Sequence, residues 1–309
     1  MVQGWSEDSL HRWLRRRPAP SRLRGSRGHD AAVLPPAKER DVQCADQCIE
    51  GVHFAPDARA RDVGRKAAGR ALSDLAATAA RPRTLLLCLA APAARPESWM
   101  RSVIAGVEAA AREVGAELVG GDLAQTPGPA TLSVFAQGTL PGSRKPPGRD
   151  RARPGQALVL TGAVGGSGLG RHLRPRPRIG EGRALFAAGA TAMMDVSDGL
   201  AWDLYRLARA SGVRLVLERV PIHRDARRAA RASGRSSLGH ALHDGEDHEL
   251  VATLPLRSVP KGLHVIGRVR AGKGLELGPE LVRVLDGDQS LSPDPRPWRP
   301  EEGGWKHGR

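Results

Sequence analysis

Met193-Met194-Asp195-Val196-Ser197-Asp198-Gly199-Leu200 joins two different patterns within eight residues. The apolar run 193–196 predicts a short buried strand, and the apolar spacing over 200–210 predicts an amphipathic helix. One acid ends the strand; a second, Asp198, stands just ahead of the helix, where it could cap free amides. A strand that turns through acidic and small residues into a helix is the unit of an α/β layer fold. The first half of the chain carries a shorter echo, Ser73-Asp74-Leu75.

The same alternation extends in both directions. Before the quoted stretch, the spacing predicts helices over 6–16, 62–79, 97–115 and 182–188, and strands over 42–46, 85–90, 118–119, 132–136 and 157–161. After it, strands are expected over 213–217, 248–254 and 263–269, and the last 25 or so residues read as Pro-rich and irregular. Pro141 to Gly155 combines Pro, Gly and charge without periodicity, which marks a linker. The expected organisation is therefore an N-terminal domain over 1–140, a linker over 141–156 and a C-terminal domain over 157–309.

Composition narrows the function. The 309 residues are 40% hydrophobic but only 3% aromatic, so the core must be built from Ala, Val and Leu. No stretch reaches the roughly 18 apolar residues of a membrane span. The basic run Arg15 to Arg17 has no apolar segment after it, so a cytoplasmic chain is expected rather than a secreted one. Cys44, Cys48 and Cys88 form no CxxC pair, which argues against structural zinc or a disulfide framework. Of 48 basic residues 42 are Arg, giving a net charge of +15. They are scattered and lack interleaved aromatics, which argues against nucleic acid and leaves either a field that draws small polyanions or plain solubility.

No GxxxxGK[ST] loop exists, and the glycines from Gly162 to Gly170 do not satisfy GxGxxG. What stands out is acids among small or apolar neighbours: Asp30, Asp46, Asp74, Asp122, Asp195 and Asp198. Asp74 lies inside a helical run, where Asp is a poor former and costly to bury alone. Two carboxylates about 4 Å apart repel by roughly 4 kcal/mol at an effective dielectric near 20. If the fold gathers such acids into one pocket, it needs divalent cations. Magnesium, with its oxygen ligands and affinity for substrate phosphates, fits. Singly, each acid reads as well as a cap or a turn residue.

Taken in order, the short motifs resemble the thiamine-monophosphate kinase family. They are Gly28-His29-Asp30-Ala31-Ala32-Val33-Leu34, Asp46 with Glu50-Gly51-Val52-His53-Phe54, Leu72-Ser73-Asp74-Leu75-Ala76-Ala77 and Gly120-Gly121-Asp122. Arg153-Pro154-Gly155, Leu173 to Arg178, the Asp195 to Leu200 stretch, Gly245-Glu246-Asp247-His248-Glu249-Leu250 and Ile266-Gly267-Arg268 follow. The resemblance implies a two-domain α/β (α+β) architecture of the PurM-like type, with a C-terminal α/β sandwich domain. It also implies a homodimer formed by pairing the N-terminal sheets. The implied reaction is phosphorylation of thiamine monophosphate by ATP with Mg2+. Asp30, Asp46, Asp74, Asp122, Asp195 and Asp198 would then hold metal, with Asp74, Asp122 and Asp195 central to catalysis. Gly121, Asp122, Arg149 and Ser197 would contact ATP, and His53, Glu246 and Trp305 the thiamine phosphate.

The chain departs from the family pattern at several places. His29 stands where a second Asp is usual, Cys44-Ala45 where hydroxyls are usual, Leu123 for Thr, Gln156 for Asp and His248 for Tyr. Trp305-Lys306-His307-Gly308 replaces an aromatic-Asp-His-Phe ending. These changes motivate two rival readings: a sister enzyme with another acceptor, or a non-catalytic paralogue that binds nucleotide or thiamine phosphate. Against the selenophosphate-forming sister, no Cys precedes Cys44.

Overall fold

The computed structural model describes residues 5–23, 32, 34–286 and 294–304. The chain divides into two compact units. The first comprises Met1–Leu75, Ala80–Ser143 and Leu173–Pro177; the second comprises Ala76–Ala79, Arg144–His172 and Arg178–Arg309.

The first unit begins with α1 (Glu7–Arg15), whose first turn is capped by the Ser6 hydroxyl accepting the Ser9 N–H at 3.3 Å. Then come β1 (Arg40–Ile49), α2 (Ala60–Ala77), β2 (Arg81–Ala91), α3 (Glu97–Glu113), β3 (Glu117–Gln125) and β4 (Thr131–Leu140). The four strands form one sheet in the order β1-β4-β2-β3. The pairs β1/β4 and β4/β2 are antiparallel and β2/β3 is parallel. Because side chains alternate along a strand, Leu85, Leu87 and Leu89 point to one face, where they join Val63, Ala67, Ala71, Leu75, Val103 and Val107 in a dry core. The opposite face leaves Leu86 and Phe135 uncovered, 39% and 44% exposed.

With so few aromatics, the helices reach close packing by bringing backbones together. A Cβ on Gly64 of α2 would lie 2.0 Å from the Val103 carbonyl oxygen of α3. A Cβ on Gly106 of α3 would lie 2.1 Å from the Arg61 carbonyl oxygen of α2. Each glycine is thus the socket for the other helix.

The second unit continues with β5 (Ala157–Leu160), α4 (Ile179–Ala187), β6 (Ala192–Asp195), α5 (Leu200–Ser211) and β7 (Arg214–Leu217). It closes with α6 (Arg224–Ser233), α7 (Ser237–His243), β8 (Leu250–Leu254), β9 (His264–Arg270), β10 (Gly274–Leu277), α8 (Pro279–Asp286) and β11 (Arg296–Pro297). Its seven-stranded sheet runs β11-β10-β7-β9-β5-β8-β6, and every pair is antiparallel except β10/β7. Strands β5 and β8, and the edge strand β6, are buried along their whole length, which is why they read as apolar runs. Leu200, Leu204, Leu207, Leu238 and Leu242 pack against them. The segment 141–156 is partly built into this unit: Ala152 is buried, and its N–H donates to the Ser211 hydroxyl at 3.0 Å.

Several elements differ from expectation. α6 was not expected: its only apolar positions are alanines set among four Arg, and only Asp225 and Ala226 of its ten residues are buried. It folds on the propensity of Ala and Arg, with the His223 ring accepting the Asp225 N–H at 3.1 Å. Asp198 does not cap α5: the N-cap is Gly199, at φ 110°, and no side chain caps it. Among the described residues, no helix is long and apolar enough to cross a membrane.

Candidate functional site

In the first unit the acids are set by strand register and by α2. Asp46 on β1 lies opposite Val134, which pairs with Leu87, which pairs with Gly121. That row belongs to the helix-covered face, so the half-buried Asp46 leaves the sheet toward α2. There its Oδ1 accepts the Gln47 N–H at 2.7 Å and Arg70 Nη2 at 3.0 Å. Asp74, half-buried, lies one helical turn beyond Arg70 on the same face of α2. The structure therefore brings Asp46 to the stretch of α2 that carries Asp74.

Asp122 is placed differently. It pairs with Cys88 and lies in the next row, while Leu123 after it packs into the core. The exposed Asp122 thus leaves by the open face of the sheet, opposite to Asp46. On that side it lines a hollow of about 690 Å³ together with Gly120, Gly121, Leu86, Phe135 and Arg15. Burial raises the Cys88 thiol pKa, and the Asp122 charge raises it further. Gly121 has to be glycine: at φ 154° a Cβ would lie 1.8 Å from the Leu87 carbonyl oxygen. His53 closes the turn after β1, its Nδ1 accepting the Ile49 N–H at 3.0 Å.

In the second unit, three loops meet. Asp195 ends β6 and is buried, with its Oδ2 3.2 Å from His248 Nδ1. Glu246 donates its N–H to the Ser197 carbonyl at 2.7 Å. That approach requires Gly245, where a Cβ would lie 2.7 Å from the same oxygen. Glu246 and His248 both hold left-handed φ, 52° and 51°, a conformation that side chains adopt only when their surroundings enforce it. Between them Asp247 is buried and accepts the Gly165 N–H at 2.9 Å and Arg171 Nη2 at 2.8 Å. Burial pushes its carboxyl up to about 6 against the pull of Arg171. Glu249 is bonded to Arg178 and to the Thr161 hydroxyl, fixing the strand end before the glycine-rich turn.

The turn 195–199 also gathers charge. Asp198 is buried and bonded to Arg206, which lies two turns along α5. Asp203, also on α5, is completely buried, and burial pushes its carboxyl up to about 8, with Asp198 and Asp195 adding to the rise. Arg149 is exposed, and its backbone carbonyl accepts the Ser211 hydroxyl at 2.7 Å. Asp30 and Trp305 lie outside the described residues.

Among the described residues, no three His, Cys, Asp or Glu side chains are gathered as a metal cage. The donors nevertheless suit magnesium, which is held by one or two carboxylates and completes its shell with water and substrate phosphate. Asp195 and Asp198 lie on one turn and are acids of that kind; burial is the main cause of the raised Asp203 carboxyl beside them, and both acids add to it.

Sequence reasoning singled out the acids but missed their partners. Arg70, Arg206 and Asp203 carry no signal in a single sequence, since Arg and Asp on a helix read as solvated. The only hint was that Asp203 falls on the apolar face of the 200–210 pattern.

Residues 28–140 match the family model for the AIR synthase related protein, N-terminal domain. The chain is 40% identical to the thiamine-monophosphate kinase of Rhodopirellula baltica, over 72% of this chain and 74% of the relative. It is 37% identical to that of Mycobacterium tuberculosis, over 85% of this chain and 84% of the relative. Among solved structures, AaThiL complexed with AMPPCP and TMP superposes with a TM-score of 0.74 at 28% identity, covering 89% of this chain and 90% of the other.

Proposed function

The chain belongs to the thiamine-monophosphate kinase family, and from that premise we propose that it transfers the γ-phosphoryl group of ATP to thiamine monophosphate, giving ADP and thiamine diphosphate. The observation that carries the reading is likeness along nearly the whole chain, including to a structure complexed with AMPPCP and TMP. The acceptor is already an anionic phosphate at neutral pH, so no strong general base is required. What remains is to align two anions and offset their charge.

The residues divide that work. Asp46 and Asp74 in the first unit, and Asp195 and Asp198 in the second, would hold Mg2+, with Asp30 as a further ligand. Bound there, the ion supplies neutralisation of phosphate charge. Gly121 and Asp122, on β3, are assigned to ATP. Ser197 and Arg149 are assigned to ATP, the latter as an exposed guanidinium for phosphate oxygens. His53, Glu246 and Trp305 are assigned to thiamine monophosphate. A carboxylate complements its cationic ring, and an indole can stack on it. The enzyme is proposed to work as a cytoplasmic homodimer that pairs the open faces of the four-stranded sheets.

Incubating the pure protein with ATP, MgCl2 and thiamine monophosphate is expected to yield thiamine diphosphate, and EDTA to stop it. No product, with thiamine monophosphate still bound, would return the non-catalytic reading. Product from another phosphate acceptor alone would return the sister-enzyme reading.

A further inference from the structure

Asp203 sits in the first turn of α5, three residues after Leu200 opens the helix. A side chain there normally faces solvent or reaches back to the N-cap amide. Asp203 instead reaches past the N-cap. Its Oδ2 accepts the N–H of Ser197 and the N–H of Asp198, both at 2.9 Å. These are the two residues of the turn assigned to ATP and to the metal. Its own N–H donates to the Gly199 carbonyl at 3.0 Å, so one residue holds the turn 197–199 at three points.

The opposite side of the turn is held as well, through the Glu246 N–H on the Ser197 carbonyl. With both peptide groups fixed, the Ser197 and Asp198 side chains have a single backbone frame from which to project. Arg206 completes the arrangement: it is bonded to Asp198 Oδ2, and its Nη1 lies 3.5 Å from Asp203 Oδ1.

Stability does not explain this choice of residue. Asp203 is 0% exposed, in a helix whose other buried residues are Leu and Ala. A buried carboxyl group beside two further acids is a poor way to fasten a helix, and an apolar side chain of that size would cost less. A rule broken inside an otherwise consistent element marks a site where geometry matters more than stability.

Resting on the assignment of Asp198 as a metal ligand, we propose that Asp203 is a positioning residue: its buried carboxyl group fixes the backbone of the 197–198 turn and so aims Ser197 and Asp198 at the metal-bound phosphates. The role belongs to the acceptor oxygen, not to direct ligation. An amide oxygen in the same place should therefore serve, whereas a methyl group should not.

The test uses Asp203→Ala and Asp203→Asn in the full chain, with two readouts. The first is hydrogen exchange of the peptides spanning 195–199, measured without metal or nucleotide. Asp203→Ala is expected to speed exchange there while the strands of the same unit stay protected, and Asp203→Asn to keep it slow. The second is steady-state kinetics against Mg2+ and thiamine monophosphate. Asp203→Ala is expected to lower kcat on the order of 100-fold, the scale of a small misplacement of reacting groups. It should also raise the Mg2+ concentration for half-maximal rate about tenfold, as loss of a ligand-orienting partner does. The KM for thiamine monophosphate should stay within about twofold, because uniform binding is untouched. Asp203→Asn is expected to recover most of the rate. The proposal is overturned if Asp203→Asn is as impaired as the alanine variant, or if exchange over 195–199 is unchanged in Asp203→Ala. Should Asp203→Ala fail to fold, Asp203→Asn decides alone: slow exchange with near-normal Mg2+ dependence supports the proposal, and fast exchange or lost Mg2+ dependence refutes it. If the wild-type protein forms no thiamine diphosphate, the kinase reading fails, while the exchange measurement still decides whether Asp203 holds the turn.

Discussion

At the scale of single residues, Asp46 is bonded to Arg70, and Asp74 lies half-buried one turn further along the same helix. Asp74→Asn is isosteric and is expected to cut turnover on the order of 100-fold or more. Its unfolding free energy should stay within about 1 kcal/mol of wild type. Steady-state assay and urea titration measure the two separately, and near-normal kcat would remove Asp74 from the metal ligands. His243 makes a different prediction. It stacks on Trp298 with ring centroids 6.3 Å apart, and burial pushes its pKa down to about 4, with Arg235 adding to the shift. The unfolded chain binds this proton near 6.5, so between about 6.5 and 4 the unfolded state carries more of it. Stability is therefore fully present above pH 6.5 and falls as pH drops toward 4, by at most about 3 kcal/mol. Asp247, held up to about 6, acts in the opposite sense, so the comparison must be between variants. His243→Phe keeps the stacked ring and loses the proton. Between pH 7 and 4.5 its urea midpoint should fall less, or rise more, than that of wild type.

At the scale of elements, the α2–α3 contact sets intrinsic propensity against packing. Ala is the better helix former by about 1 kcal/mol, so propensity alone expects Gly64→Ala and Gly106→Ala to stabilise. The contact expects the reverse, because each added Cβ would fall within about 2 Å of a carbonyl oxygen on the partner helix. Overpacking of that kind costs about 1–3 kcal/mol, enough to reverse the sign. Thermal unfolding should show both variants melting below wild type; a higher Tm in either would mean the helices can slide apart at no cost. The spacing that predicted helices at 62–79 and 97–115 carried no trace of this contact. Glycine in a helical pattern reads as a weak spot until the neighbour is seen.

At the scale of the whole molecule, each unit has its own core, one built around four strands and one around seven. The smaller sheet leaves one face open, with Phe135 and Leu86 on neighbouring strands at its centre. A second copy covering that face would account for apolar side chains that a single chain leaves in water. Light scattering is expected to give twice the 32.9 kDa chain mass, and Phe135→Glu to return it to one. A wild-type mass of one chain would remove the homodimer. Magnesium and ATP together are expected to raise Tm in proportion to the logarithm of nucleotide concentration, an effect EDTA abolishes.

The sequence by itself determined the alternation of strands and helices, the family, and which acids to watch, because these depend on side-chain periodicity and on motifs read in order. It left α6 unassigned, because alanines set among four Arg read equally as a solvated segment and only Asp225 and Ala226 are buried. Nor could it show that Asp46 and Asp122 leave the sheet on opposite faces. That is decided by the pairing of β1, β4, β2 and β3, and register is a relation between strands rather than a property of any one of them. The same holds for Arg70 at Asp46, Arg206 at Asp198 and Asp203 beneath the 197–198 turn. A charged residue on a helix is solvated by default; only the packed structure decides which of them is turned inward to hold a loop in place.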